Sequence, residues 1–215
     1  MRFAIVISAL FLAFATLQPV AALQFTHYMN SFGGVSYGIA AAQDGSVWFR
    51  SGAYLTHFSP DSEQLELFSL PSAEHGLIAL DAAGAVWVCC GNSMVTVREG
   101  QMHATLFPGG SLCAISAAPD GSVWTSINIH EGSSFRNALL RFEGDAYEEV
   151  EGPTSELAYT ICFESDGTGW FTYSDLAPIS VARYKGGSWD TFSNIPSWNL
   201  PYDATVGEPG ELWVS

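Results

Sequence analysis

Apolar and polar residues trade places along this chain in short runs, too short for a surface helix and patterned like strands. "QLELFSL" (64–70) alternates apolar with polar, the period of a strand covered on one face. "SVWFR" (46–50) and "YLTHFS" (54–59) precede it, both rich in aromatic and β-branched residues. Before them "SYGIAAA" (36–42) is a run of mostly small residues. Glycine, proline, aspartate and serine break the chain between the runs, and no stretch shows a helical amphipathic period. Residues 36–70 therefore predict four successive strands: an inner one of small residues, a second carrying Trp48, a third, and an outer fourth. The third-plus-fourth pair returns in "MVTVREGQMHATLF" (94–107), "LLRFEGDAYEEV" (139–150) and "SVARYKGGSWDTF" (180–192).

A glycine turn followed by a tryptophan marks each unit: "QDGSVWF" (43–49), "AAGAVWV" (82–88), "PDGSVWT" (119–125), "SDGTGWF" (165–171) and "EPGELWV" (208–214). The turn residues Gly45, Gly84, Gly121, Gly167 and Gly210 follow one another at 39, 37, 46 and 43 residues. That spacing is close to the ~40–50 residues of a four-stranded propeller blade. Asp44, Asp120 and Asp166 suit the turns, and Trp48, Trp87, Trp124, Trp170 and Trp213 are expected to pack between neighbouring blades. The signature is scaffold and needs no ligand to explain it. The fold class is thus all-β, a β-propeller with about four and a half four-stranded blades present. The ends bear on closure. "LQFTHYMN" (23–30) resembles an outer strand that would complete the last blade, whereas 202–215 offer only an inner and a second strand. The expectation is an N-terminal fragment of a longer propeller spanning 23–215; the competing one is a ring completed by a partner chain.

Residues 1–22 stand apart. Arg2, an apolar run from Phe3 to Leu17, helix-breaking Pro19 and small Val20 and Ala22 form a secretory signal peptide, with cleavage expected after Ala22. An uncleaved anchor competes, because the run approaches the ~20 residues that span a bilayer. The chain holds 7 Lys+Arg against 22 Asp+Glu, a net charge of −15, and losing Arg2 makes it more negative. Such a surface repels phosphate backbones and anionic lipid, which excludes nucleic acid as a partner and admits a neutral or cationic one. A membrane would enter only through a segment beyond Ser215. Cys89, Cys90, Cys113 and Cys162 fit neither a zinc ribbon nor a redox pair. Cys89 and Cys90, adjacent on a strand, should point to opposite faces as buried free thiols; a bond from that pair to Cys113 is the alternative.

The segment "VARYKGGSWDTFSNIPSWNLPYDATVGEPGELWVS" (181–215) resembles the repeats of two-component regulator propellers, found in extracytoplasmic sensor regions of bacterial signalling proteins. "LLRFEGDAYEEV" and "LTHFSPDSEQLELFSLP" follow the same scheme more loosely, and the "W-x-G-T" usual in that family is here "WFRS", "WVCC", "WTSI" and "WFTY". Membership would imply ligand sensing upstream of a membrane helix and an output domain. "FSLPSAEHGLIALDAAGAVWV" (68–88) is similar to streptogramin lyase repeats, in which "PHGI" precedes the turn. That likeness implies a ring-opening lyase using histidine, glutamate and Mg2+. Only His75 and Gly76 match it. His75 lies nine residues before its turn glycine where the pattern wants eight, the register Tyr37 keeps in the first repeat.

In a propeller, fourth-to-first and second-to-third loops emerge together around the channel, on the face opposite the glycine turns, and binding residues are expected there. The first loop set contributes Tyr37, His75, Tyr159, Trp198 and Tyr202. The second contributes His130, Glu131 and Asp175, from the lengthened loops "NIHEGSSFRNA" (128–138) and "YSDLAP" (173–178). Aromatic residues among carboxylates suit stacking on a sugar ring or holding a cation. Plain channel-wall packing explains the tyrosines equally, and a solvated pair explains His130–Glu131. Asp203 and Glu208 are the carboxylates a glycosidase-type propeller would draw on. His57 and His103 fall on outer strands, expected at the surface. No nucleophile elbow, HExxH, phosphate loop or dinucleotide fingerprint occurs, so no catalytic residue and no cofactor is assigned. A metal would need three converging ligands, and Mg2+ enters only with the lyase. The reading is an exported ligand-binding or sensory module for a small molecule, a carbohydrate or a protein. A lyase-like enzyme, or a scaffold binding partners along its blade edges, competes with it.

Overall fold

The computed structural model describes residues 36–74, 76–173, 179–195 and 203–214, with the backbone alone at 36, 37, 194 and 195. The leader 1–22 and the segment 23–30 lie outside the described residues. The apolar runs fold as successive antiparallel sheets in chain order. The first blade is β1 (Ser36–Ala41), β2 (Val47–Ser51), β3 (Tyr54–Ser59) and β4 (Gln64–Ser69). The second is β5 (Ile78–Leu80), β6 (Val86–Cys90), β7 (Ser93–Arg98) and β8 (Gln101–Leu106). The third is β9 (Gly110–Ala117), β10 (Val123–Glu131), β11 (Ser134–Glu143) and β12 (Ala146–Val150). The fourth is β13 (Ala158–Phe163), β14 (Gly169–Tyr173), β15 (Ile179–Lys185) and β16 (Ser188–Ile195), and β17 (Ala204–Val206) pairs with β18 (Leu212–Val214) to begin a fifth. The inner strands β1, β5, β9, β13 and β17 lie each against the next, as in a β-propeller.

Each hairpin between first and second strands turns on the expected glycine. Gly45 sits at φ +83°, open to glycine at no steric cost, and Asp44 Oδ1 accepts the Ser46 N–H at 2.9 Å. Asp120 and Asp166 do the same for Ser122 and Thr168. The tryptophans then fill the seams. Trp48 packs with Val86, Val88 and Val95 between the first two blades, and Trp87 with Phe107, Ile115 and Phe142 in the next seam. Trp124 packs with Ile161 and Phe171, and Trp170 with Val181, Val206 and Leu212. All four are 2–8 % exposed, whereas Trp213, with no described sheet beyond it, is 65 % exposed. Burying one such side chain contributes on the order of 2–3 kcal/mol, so these seams hold blade to blade.

A basic group covers the outer face of each buried tryptophan. Arg98, Arg141 and Arg183 stand 5.2, 5.9 and 5.9 Å from the rings of Trp87, Trp124 and Trp170. On the first blade the position falls to His57, stacked on Trp48 at 4.2 Å and 3.8 Å from Glu66, which corrects its expected surface placement; His103 is exposed.

The stretch 128–138 also departs from expectation. It is no lengthened loop: β10 and β11 stay paired to Glu131↔Ser134 and turn on Gly132 and Ser133, with Gly132 at φ +67°. Its glycine and serines read as loop, yet Ile127, Ile129 and Phe135 keep strand alternation, and two turn residues suffice for a hairpin. All four cysteines are free. Cys89 faces the seam to the third blade and Cys90 the seam to the first, and burial pushes the Cys89 thiol up to about 12.

Candidate binding site at the channel mouth

Three inner strands carry a bulge at one place. In β1 it is Tyr37, between the pairs Ser36↔Ser51 and Gly38↔Arg50. In β13 it is Tyr159, between Ala158↔Tyr173 and Thr160↔Thr172, and in β9 it falls at Cys113–Ala114. Tyr37, Cys113 and Tyr159 each lie eight residues before their turn glycine, so one register position is pushed out of the ladder blade after blade. A bulge re-aims the side chain it carries and leaves backbone groups without ladder partners.

Buried hydroxyls meet those orphaned groups. The Ser126 hydroxyl accepts the Ala114 N–H at 3.1 Å and donates to the Ala158 carbonyl of the next blade at 2.6 Å. Thr125 Oγ1 donates to the Ala114 carbonyl at 2.6 Å, and Thr160 and Thr172 pair at 2.7 Å. Buried hydroxyls therefore tie the inner strands β9 and β13 to each other and to their neighbours.

Tyr159 lines a 240 Å³ cavity there with Leu77, Ala114, Ile115, Ile161 and Asp203. One phenol and one exposed carboxylate stand over an apolar floor. The Asp203 side chain also accepts the Ala204 N–H at 2.8 Å. This arrangement can seat a small ligand that stacks on the tyrosine and offers a hydroxyl or cationic group to the carboxylate.

Of the other expected site residues, Tyr37 lies on β1 with only its backbone described. His130 and Glu131 sit together on the exposed tip of the β10–β11 hairpin, not in the cavity. The Glu131 carboxylate accepts from Arg136 Nε at 2.9 Å, and the His130 ring is 6.4 Å from Phe135. His75, Asp175, Trp198 and Tyr202 lie outside the described residues. Glu208 is exposed in the turn region before β18.

A wider hollow of 860 Å³ opens at the glycine-turn end, bordered by Asp44, Asp81, Glu66 and Glu99. Size does not make it the better candidate, because the Asp44 and Asp81 carboxylates serve the fold and Glu66 faces His57. Asp81 Oδ1 accepts from the Ala83 and Ala85 N–H groups and its Oδ2 from Trp87 Nε1 at 2.9 Å. Glu164 plays that part on the fourth blade, accepting from Trp170 Nε1 at 2.7 Å and from the Gly210 N–H. These indole caps stand three residues before the turn glycine, a spacing visible in the sequence and overlooked there. Among the described residues no three His, Cys, Asp or Glu side chains converge to hold a metal ion, so the described residues do not fit an Mg2+ site.

No protein-family model matches the chain, and no curated protein does. Similar solved structures include a streptogramin B lyase, with TM-score 0.67 and 19 % identity over 83 % of this chain and 61 % of that one. A gluconolactonase from Xanthomonas campestris aligns with TM-score 0.60 and 15 % identity over 85 % of this chain and 70 % of that one. YCF48 bound to D1 peptide aligns with TM-score 0.58 and 16 % identity over 84 % of this chain and 60 % of that one. At such identities the likeness shows the β-propeller fold alone. The chain spans about three fifths of the length of the streptogramin B lyase.

Proposed function

We propose that this chain is an exported, ligand-binding β-propeller module, the extracytoplasmic sensory part of a bacterial signalling protein. Its ligand would be a neutral or cationic small molecule, such as a carbohydrate or an amine. The observation that carries the reading is Tyr159 and Asp203 lining one cavity on a hydrogen-bonded, bulged inner wall, within a surface that has no spare cation among the described residues. Every described Lys and Arg is engaged: Arg50 with backbone carbonyls, and Arg98, Arg136, Arg141, Arg183 and Lys185 with carboxylates. The uncompensated carboxylates would repel an anion but attract a cation and tolerate a polyol. Export rests on the leader, and the sensory role on the repeat resemblance at 181–215.

The test is a thermal-shift and calorimetric screen of sugars and amines on the full chain, repeated with Tyr159→Ala and Asp203→Asn. A hit whose affinity falls about tenfold or more in both variants, with folding intact, is the expected result. A hit that neither variant weakens would remove the site.

A streptogramin-lyase-like enzyme is the second reading, favoured by the TM-score of 0.67. It requires Mg2+-dependent opening of a cyclic depsipeptide, lost in His75→Ala or His130→Ala. Depsipeptide left intact by the full chain with Mg2+ would end that reading.

A further inference from the structure

We infer that a second binding site, for a primary ammonium group, lies off the channel between the third and fourth blades, beneath the loop from Glu151 to Glu156. Tyr173, the last residue of β14, packs its ring into that seam beside Leu139 and Ala158 and is 1 % exposed, yet its hydroxyl has no hydrogen-bond partner among the described residues. Leaving a buried hydroxyl unpaired is costly, and a protein that keeps one usually pairs it with something. Next to it is a cavity of 370 Å³ bordered by Tyr173, Asn137, Glu149, Glu151, Gly152 and Glu156.

The loop roofing this cavity is held in place. Asn137 Nδ2 donates to the Ser155 carbonyl at 3.0 Å, and Trp189 Nε1 donates to the Glu151 carbonyl at 3.0 Å. Gly152 stands over the phenol: a Cβ there would lie 4.0 Å from the Tyr173 hydroxyl and 3.5 Å from Leu139 Cδ1. Its missing side chain leaves a slot about one methyl group wide beside the hydroxyl, whose oxygen is itself shielded from solvent.

The chemistry around the slot selects a cation. Glu149 is neutralised by Arg136 at 2.7 Å, but the Glu151 and Glu156 carboxylates have no ion pair among the described residues. Burial first, and then the nearby Glu156 charge, push the phenol well above its usual range, so it stays protonated with lone pairs free to accept. An ammonium entering over Gly152 donates one N–H to the Tyr173 oxygen and sets its charge against Glu156. The phenol proton then turns outward toward a ligand hydroxyl or a carboxylate. A neutral polyol would satisfy the phenol but leave the charges unmatched.

The test uses the full chain and ethanolamine, cationic at neutral pH, with ethylene glycol as the uncharged control, followed by calorimetry and melting temperature. Expected is saturable ethanolamine binding, weakened about tenfold or more in Tyr173→Phe and abolished in Glu156→Gln. Gly152→Ala introduces only ordinary contacts, so it should fold as the parent does and bind no ethanolamine. Without ligand, Tyr173→Phe should melt higher than the parent, and saturating ethanolamine should shrink that gap. No saturable binding to the parent, equal binding of glycol, or full affinity in Tyr173→Phe would overturn the site. Binding abolished by Asp203→Asn alone would place the ammonium at the channel mouth, refuting this site while leaving the proposed function standing.

Discussion

Two buried polar side chains, Arg50 and Ser126, hold adjacent blades together without a carboxylate between them. Arg50 is fully buried on β2, and its guanidinium donates to the Cys89 carbonyl at 2.6 Å, the Ser72 carbonyl at 3.0 Å and the Glu74 carbonyl. It thereby latches the loop after β4 onto the second blade. Ser126 spans the third and fourth blades through one oxygen. Ser126→Ala strands a buried N–H and a buried carbonyl, which should cost about 3 kcal/mol in denaturant unfolding and lower the melting temperature by roughly 10 °C. Arg50→Met, which orphans several carbonyls at once, should cost at least as much. A loss below about 1 kcal/mol in either would show that water replaces these partners inside the seams.

Glycine serves two different ends in the hairpins and loops, and the two separate by substitution. At Gly45 a Cβ would meet nothing within 4 Å, so Gly45→Ala should suffer only from φ +83°, about 1–2 kcal/mol. Gly76 has no such backbone demand. There a Cβ would collide with the Cys89 carbonyl and the Arg50 guanidinium, so Gly76→Ala must dislodge the latch and should cost more than the turn substitution. Urea midpoints of the two variants check the order, and a reversed order would mean the loop yields more easily than the turn. The β10–β11 hairpin carries the same lesson for function. Its extension to Glu131↔Ser134 lifts His130 and Glu131 away from the 240 Å³ cavity that Tyr159 and Asp203 share.

Across the whole molecule the acidic turns set the response to pH. The Ser46 hydrogen bonds hold the Asp44 carboxyl below its usual range, and the Lys185 ammonium does so first for Asp166. Burial raises Asp120, but the Ser122 bonds and Arg141 outweigh it. A carboxyl depressed in the folded state adds stability that is full above its unfolded pKa, ~4, and drains as pH falls through the folded value. Melting temperature should therefore hold between neutral pH and about pH 5, then drop steadily below pH 4. A drop that begins well above pH 5 would mean that groups other than these carboxyls set the response.

The period of the repeat, the strands, the glycine turns and the seam tryptophans were all legible in the sequence, because strand alternation and a positive φ are local demands that a few neighbouring residues must meet. The sequence placed Tyr159 in the loop leading into its first strand, whereas it lies within β13 at a bulge, which no local pattern announced. What the tertiary structure alone decided is which polar groups meet across blades: Arg50 with Cys89, Ser126 with Ala158, Tyr159 with Asp203, and Tyr173 with the slot under Gly152. Those meetings depend on how far each blade is rotated against the next and on where bulges release the inner strands. Both are set by side-chain packing in the seams between residues far apart in the chain, and no pattern along one strand encodes them.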